Sequence, residues 1–111
     1  MEIVEREMKR VYLIALNGRL DAETSPQLDT VFDAAMERGN YRFLLDLEEL
    51  AFISSRGLKT LLRVRKEVRK FNRGDLRLLN VPENISEALS LTGLLPLFTV
   101  YKDPIDAVGD F

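Results

Sequence analysis

The chain has 111 residues, 46% of them hydrophobic and 31% charged, and a net charge of −2 from 16 basic and 18 acidic residues. Such a length and balance describe one ordinary globular domain with room for a real core, and the bulk charge does not point to nucleic acid. There is no Cys and no His, which excludes disulfides, thiol chemistry, a Ser-His-Asp triad and a His-Cys zinc site. Acid–base catalysis would fall to carboxylates, Lys or Tyr with strongly displaced pKa values, so the composition favours a binding module over an enzyme. No apolar run is long enough to span a membrane, and the charged opening MEIVEREMKR does not read as a signal peptide, so the cytosol is the expected compartment.

In chain order, residues 2–6 and 10–17 predict two strands joined by a turn near Glu7-Met8-Lys9. The second strand, nearly all apolar from Val11 to Leu16, should be central, and Asn17-Gly18 should stop it. Ser25 is a good N-cap with Pro26 at the first helical position, and Leu28, Val31, Phe32, Ala35 and Met36 follow at helical spacing up to Gly39-Asn40. Residues 41–47 predict a buried strand, since Phe43, Leu44, Leu45 and Leu47 are interrupted only by Asp46. A loop, Glu48 to Ile53, leads to a helix over 55–72, with Leu58, Leu61, Leu62, Val64, Val68 and Phe71 on one arc. Arg56, Lys59, Arg63, Lys66, Lys70 and Arg73 recur on the opposite side. Leu76 to Val81 is the next strand, a short helix runs to Leu91, Phe98 to Tyr101 is a last strand, and Asp103-Pro104 starts a terminal helix. The order β-β-α-β-α-β-α-β-α implies an α/β domain with right-handed crossovers and a mostly parallel sheet.

Ser54-Ser55-Arg56-Gly57-Leu58 therefore opens a helix just beyond the carboxyl end of a strand, where open α/β sheets usually hold their sites. With the preceding Leu45-Asp46-Leu47 and its apolar loop, this turn resembles the signature of the STAS domain, the fold of bacterial anti-sigma factor antagonists. Gly18-Arg19-Leu20-Asp21 is similar to the family's Gly-x-Leu-Asp segment, and the closing Leu91-Thr92-Gly93-Leu94 to Tyr101 is similar again. The resemblance implies a single STAS-like domain over residues 1–111, with a mixed, mostly parallel sheet of four to five strands and about four helices. It implies an anti-sigma factor serine kinase as partner, with no direct DNA binding, no cofactor, no metal and no catalysis, in a monomer or weak dimer. It makes Ser55 the phosphoryl acceptor, with Ser54 as the rival, and Asp21, Ser54, Ser55, Arg56 and Lys59 the partner-binding residues. The chain departs from the family where Ser54 replaces a common Asp and Arg56 a common small residue.

Each of these residues also has a plainer role. Ser54 or Ser55 can simply cap the helix, which stabilises it by about 1 kcal/mol, and both roles fit together if Ser54 caps and Ser55 is exposed. Asp21 can be a turn carboxylate, and Asp46 can bond backbone N–H groups near the serine loop. The basic stripe can be a solvated face or can meet anionic lipid, an acidic surface or nucleic acid. The resemblance also allows a second function, a non-catalytic STAS subunit of a lipid-transport ABC system or a stress-signalling complex. A third, an enzyme with Ser55 as nucleophile, would need Lys59 or a carboxylate as base. No Gly-rich nucleotide-binding pattern is present.

Overall fold

In the computed structural model, which describes residues Met1–Phe111, β1 (Glu2–Glu7) and β2 (Tyr12–Leu20) form an antiparallel hairpin. Its turn lies where Glu7-Met8-Lys9 predicts it and is closed by the Met8 N–H donating to the Val11 carbonyl at 3.0 Å. β3 (Arg42–Ile53), β4 (Asp75–Leu79) and β5 (Val100–Tyr101) then add in parallel, giving the order β1-β2-β3-β4-β5. The crossovers are α1 (Ser25–Glu37), α2 (Ser55–Arg69) and α3 (Glu83–Leu91), and α4 (Pro104–Asp110) ends the chain. The expected mixed, mostly parallel sheet is thus present with five strands and four helices.

Strand alternation sorts the core into two layers. Tyr12, Ile14 and Leu16 of β2, Phe43, Leu45 and Leu47 of β3, and Leu76 and Leu78 of β4 belong to one cluster with α1, α2 and α3. The helices supply Leu28, Phe32 and Ala35, then Leu58, Leu61, Val64 and Val68, then Ile85 and Leu89. Phe43 lies edge-on to both Tyr12 and Phe32, with ring centroids 5.7 and 5.0 Å apart. On the other face α4 brings Ala107 against Val11, Leu44 and Leu79. β3 is therefore buried on both faces where Phe43, Leu44 and Leu45 run without a break, as its composition requires. Each such side chain fully removed from water contributes about 1.5–3 kcal/mol.

Several expectations are corrected. Asn17-Gly18 does not stop β2, which runs on to Leu20. Gly18 takes φ 119°, a backbone open to glycine, and the register with β3 shifts on both sides of it, so the pair marks a bulge and not an end. Residues 48–53 are not a loop but the second half of β3, paired with the β2 extension through Asn17–Glu49, Gly18–Leu50, Arg19–Phe52 and Leu20–Ile53. Ser25 is not the N-cap of α1: Thr24 holds that position, and Ser25 is buried with its Oγ unpartnered. The helix expected over 55–72 ends at Arg69, and Phe71 and Asn72 turn to φ 58° and 56°. Phe71 leaves the apolar arc and is 88% exposed. Arg73 ends this segment by donating to the Glu67 and Lys70 carbonyls, and Gly74 packs so closely on Tyr41 that a Cβ would meet its carbonyl oxygen at 1.9 Å. The last strand is shorter than expected, because Leu95–Leu97 form a 3-10 turn and Phe98 is buried by it.

Candidate functional site

β2 and β3 end side by side at Leu20 and Ile53, and the start of α2 is built on that pair of ends. The Ser54 N–H donates to the Leu20 carbonyl at 2.9 Å, which carries the sheet's hydrogen bonding one residue past the strand. Ser54 is the N-cap in extended conformation, and its Oγ accepts from the Gly57 N–H at 3.3 Å. Gly57 explains the spacing of the motif. A Cβ there would lie 2.8 Å from the Leu20 carbonyl oxygen and 3.0 Å from Ile53 Cγ1, so only glycine lets the first turn of α2 press onto the strand ends.

The two serines therefore differ. Ser54 is half-buried and its hydroxyl is committed to the cap. Ser55 is exposed at the first helical position, and its hydroxyl is bonded to nothing. Free N–H groups and the helix dipole favour negative charge at that position.

Asp21 directly follows Leu20, so it shares this end of the sheet with Ser55. Its Oδ1 accepts from the backbone N–H of Glu23 at 3.0 Å and of Thr24 at 3.1 Å. The Thr24 hydroxyl in turn donates to the Arg19 carbonyl at 2.7 Å. These bonds, the backbone N–H of Thr24 foremost, hold the Asp21 carboxyl below its ordinary pKa. Asp21 thus fastens the turn into α1, and its second oxygen has only the loose Arg19 contact at 3.9 Å.

Arg56 does not face the serine loop. Its guanidinium spans to α1, where it donates to Asp29 Oδ2 at 2.7 Å, and it also donates to Thr60 Oγ1 at 2.8 Å. Thr60 donates to Asp29 Oδ1 at 2.9 Å, and Arg63 joins the same oxygen at 3.0 Å and Asp33 at 3.1 Å. Burial pushes the Asp29 carboxyl up, but the bonds from Arg56, Arg63 and Thr60 outweigh it and hold the pKa below the ordinary value. Lys59, by contrast, is exposed and has no carboxylate partner. Asp46 is half-buried and accepts from the Glu48 N–H at 3.1 Å, a structural bond inside β3.

The basic side of α2 is largely spoken for. Arg65 donates to the Leu97 carbonyl at 2.7 Å, Arg69 pairs with Asp75 at 3.1 Å, and Lys70 and Arg73 share Glu67. Sequence reasoning missed the Asp29 network, although Asp29 and Asp33 stand one turn apart on α1 and so signal a charged seam. The apolar segment Leu50 to Ile53, which the sequence reads as core or, if partly exposed, as the apolar part of a binding face, leaves Phe52 39% exposed; sequence reasoning does not foresee the Arg19 guanidinium carbon 4.2 Å from its ring centre. None of the four clefts in the surface is lined by Ser54 or Ser55, so this site is a face and not a pocket.

The mixed α/β sheet thus presents an uncommitted hydroxyl on an exposed helix start, beside a carboxylate turn. The chain belongs to the STAS domain family, whose profile matches residues 2–107. It is 29% identical over 111 residues to the putative anti-sigma factor antagonist BtrV of Bordetella bronchiseptica, covering 100% of this chain and 95% of that one. The crystal structure of a putative anti-sigma factor antagonist from Thermotoga maritima superposes with a TM-score of 0.89 at 22% identity, covering 97% of this chain and 92% of that one. The Bacillus cell fate determinant SpoIIAA in its phosphorylated form superposes with a TM-score of 0.74 at 22% identity, covering 96% and 99%. At such identities the two structures speak for the fold alone. No helix is long and apolar enough to cross a membrane.

Proposed function

We propose that this protein is an anti-sigma factor antagonist that acts in the cytoplasm, binds an anti-sigma factor serine kinase through the Ser55 face, and is released when that kinase phosphorylates Ser55. Sigma-factor-dependent transcription is then regulated by the phosphorylation state of one residue. The observation that carries this reading is the contrast between Ser54, whose hydroxyl caps α2, and Ser55, whose hydroxyl is exposed and free on the same turn. The name of the Bordetella relative and the existence of a phosphorylated SpoIIAA of the same fold support it.

In the reaction, Ser55 Oγ bonds to the γ-phosphorus of the kinase's ATP as the bond to the bridging oxygen breaks. The hydroxyl proton passes to a base of the kinase, and ADP leaves. The added phosphate brings about −1.5 to −2 charges to a helix start that tolerates an anion, so α2 stays folded while the face becomes more negative. Arg56, held by Asp29, does not neutralise that charge. Lys59, one turn along the helix, is the cation within reach.

A pull-down from the native lysate with wild type, Ser55→Ala and Ser55→Asp tests this. Wild type and Ser55→Ala should retain an anti-sigma kinase, and Ser55→Asp should lose it. If all three retain the same transporter or scaffold proteins, the antagonist assignment fails and the domain is a constitutive subunit. Incubation with the retained kinase and ATP should label wild type and leave Ser55→Ala unlabelled; label of equal strength on both would move the acceptor elsewhere.

A further inference from the structure

The opposite end of the sheet carries a second feature that the Ser55 face does not use. Where β3 begins, the β1–β2 turn, the α1–β3 connection and the α2–β4 connection meet around a cleft of about 280 Å³. It is lined by Lys9, Arg10, Arg42 and Arg73, with Asn40 and Tyr41 between them, and by no carboxylate. Four of the chain's 16 cations thus converge on one opening of a protein whose acids outnumber its bases.

Two of these four cations have no partner within the chain. Lys9 and Arg42 have neither an ion pair nor a hydrogen bond. Arg10 donates to the terminal main-chain oxygen of Phe111. Arg73 stacks over the Tyr41 ring at 4.2 Å and shares Glu67, at 3.5 Å, with Lys70. Glu7 accepts from the Asn40 side-chain amide at 3.3 Å, and Asp75, opposite Arg42 in the sheet, is held by Arg69 and Arg77. On α2, by contrast, most basic side chains have found an acid or a carbonyl. Like charges held together repel one another where internal partners are too few, and a mobile anion relieves that repulsion.

The cleft is also built and not incidental. The chain leaves α2 through two consecutive non-glycine residues at positive φ, Phe71 and Asn72, and that reversal delivers Arg73 onto Tyr41. Backbone held in such conformations concentrates at functional sites. Gly74, closed against the Tyr41 carbonyl, locks the α2–β4 connection to the α1–β3 connection. Arg73 is fixed further by donating to the Glu67 and Lys70 carbonyls.

We propose that this cleft binds a small phosphorylated anion, a diphosphate or a phosphate monoester, at the end of β3 opposite Ser55. Guanidinium groups match phosphate oxygens in pairs, and the volume, about nine waters' worth, is large enough for a diphosphate. Because β3 separates the two ends by its 12 residues, the anion and a partner on the Ser55 face can be bound together.

The test is an amide-shift titration of isotope-labelled protein with sodium pyrophosphate at about 0.15 M ionic strength, where exposed charges are screened beyond about 8 Å. Saturable shifts should gather at residues 8–11, 39–42 and 73–74. Lys9→Ala combined with Arg42→Ala, both unpaired side chains whose loss leaves the fold intact, should weaken binding by about tenfold or more, as expected for a lost charge-assisted hydrogen bond. Lys59→Ala combined with Lys66→Ala removes the same charge elsewhere and should leave the affinity unchanged, as should Ser55→Asp. The proposal is overturned if pyrophosphate shifts nothing, if the shifts spread equally over Lys59 and Lys66, or if the Lys9/Arg42 variant binds like wild type. An acidic peptide that shifts these residues where pyrophosphate does not would overturn it too. None of these results depends on a kinase, so the outcome is independent of the role proposed for Ser55.

Discussion

At the scale of single residues, the two adjacent serines differ in what their hydroxyls are free to do: that of Ser54 is bonded in the cap and that of Ser55 is not. A capping Oγ accepts a backbone N–H and is drawn toward the helix; an acceptor of phosphate must point into solvent. The Ser54 cap is worth about 1 kcal/mol, so Ser54→Ala should lower the urea midpoint accordingly, while Ser55→Ala should change stability by no more than about 0.5 kcal/mol. Equal losses from both substitutions would mean that both hydroxyls cap. The same scale shows what sequence patterns hide. That one of Ser54 and Ser55 caps is legible from a hydroxyl before an apolar helix, and so is the turn role of Asp21. The direction of Arg56 is not, because its partner Asp29 lies 27 positions away on another helix. Nothing local to the Ser-Ser-Arg-Gly stretch tells that its only cation is tied down elsewhere.

At the scale of elements, Gly57 governs how α2 sits on the sheet. Gly57→Ala would place a methyl 2.8 Å from the Leu20 carbonyl and 2.9 Å from Leu20 Cγ, so the first helical turn must lift. The expected cost is about 1–3 kcal/mol, seen as an earlier denaturation midpoint, with amide shifts concentrated at residues 20–21 and 53–58. A variant of unchanged stability and spectrum would show that the contact is loose. The elements themselves are legible where the period is clean: the apolar run of β3, the helical spacing in α1, and the leucines of α2. They are illegible where partner strands decide. Residues 48–53 expose Glu48, Glu49, Ala51 and Phe52 and bury Leu50 and Ile53, a pattern that follows neither strand nor helix period. That segment is a strand because β2 runs on past a Gly18 bulge to pair with it. Likewise Phe71 fits the helical arc by spacing, yet the chain must reverse there for Gly74 to reach Tyr41, and that demand comes from the fold.

At the scale of the whole molecule, the charged groups set a simple response to pH. Asp21 and Asp29 both have folded pKa values below the ordinary carboxylate range. The unfolded chain therefore takes up protons first as the medium is acidified. The stability these two groups contribute is complete above the unfolded pKa, about 3.9, and is lost as pH falls through their folded values. Asp29→Asn should be less stable than wild type at neutral pH, and the gap should narrow below about pH 4 in denaturation midpoints. A constant gap would mean that the carboxylate charge of Asp29 contributes nothing. The α/β class, the sheet's mixed character and the position of the serine turn are all legible at this scale, because alternating strands and helices leave few topologies. The pairing of charges across the surface is not, since it depends on contacts between elements far apart in the chain.

The two flanks of the sheet carry a further consequence. β5 offers two residues of free edge, and β1, the longer flank, carries Glu2, Glu5, Arg6 and Glu7 among its six residues. An unpaired strand edge is a template on which other chains can stack into fibrils, and short length and dense charge are two of the ways in which natural sheets blunt it. The same hairpin that starts the fold thus also blunts the sheet's longer open edge against stacking by other chains.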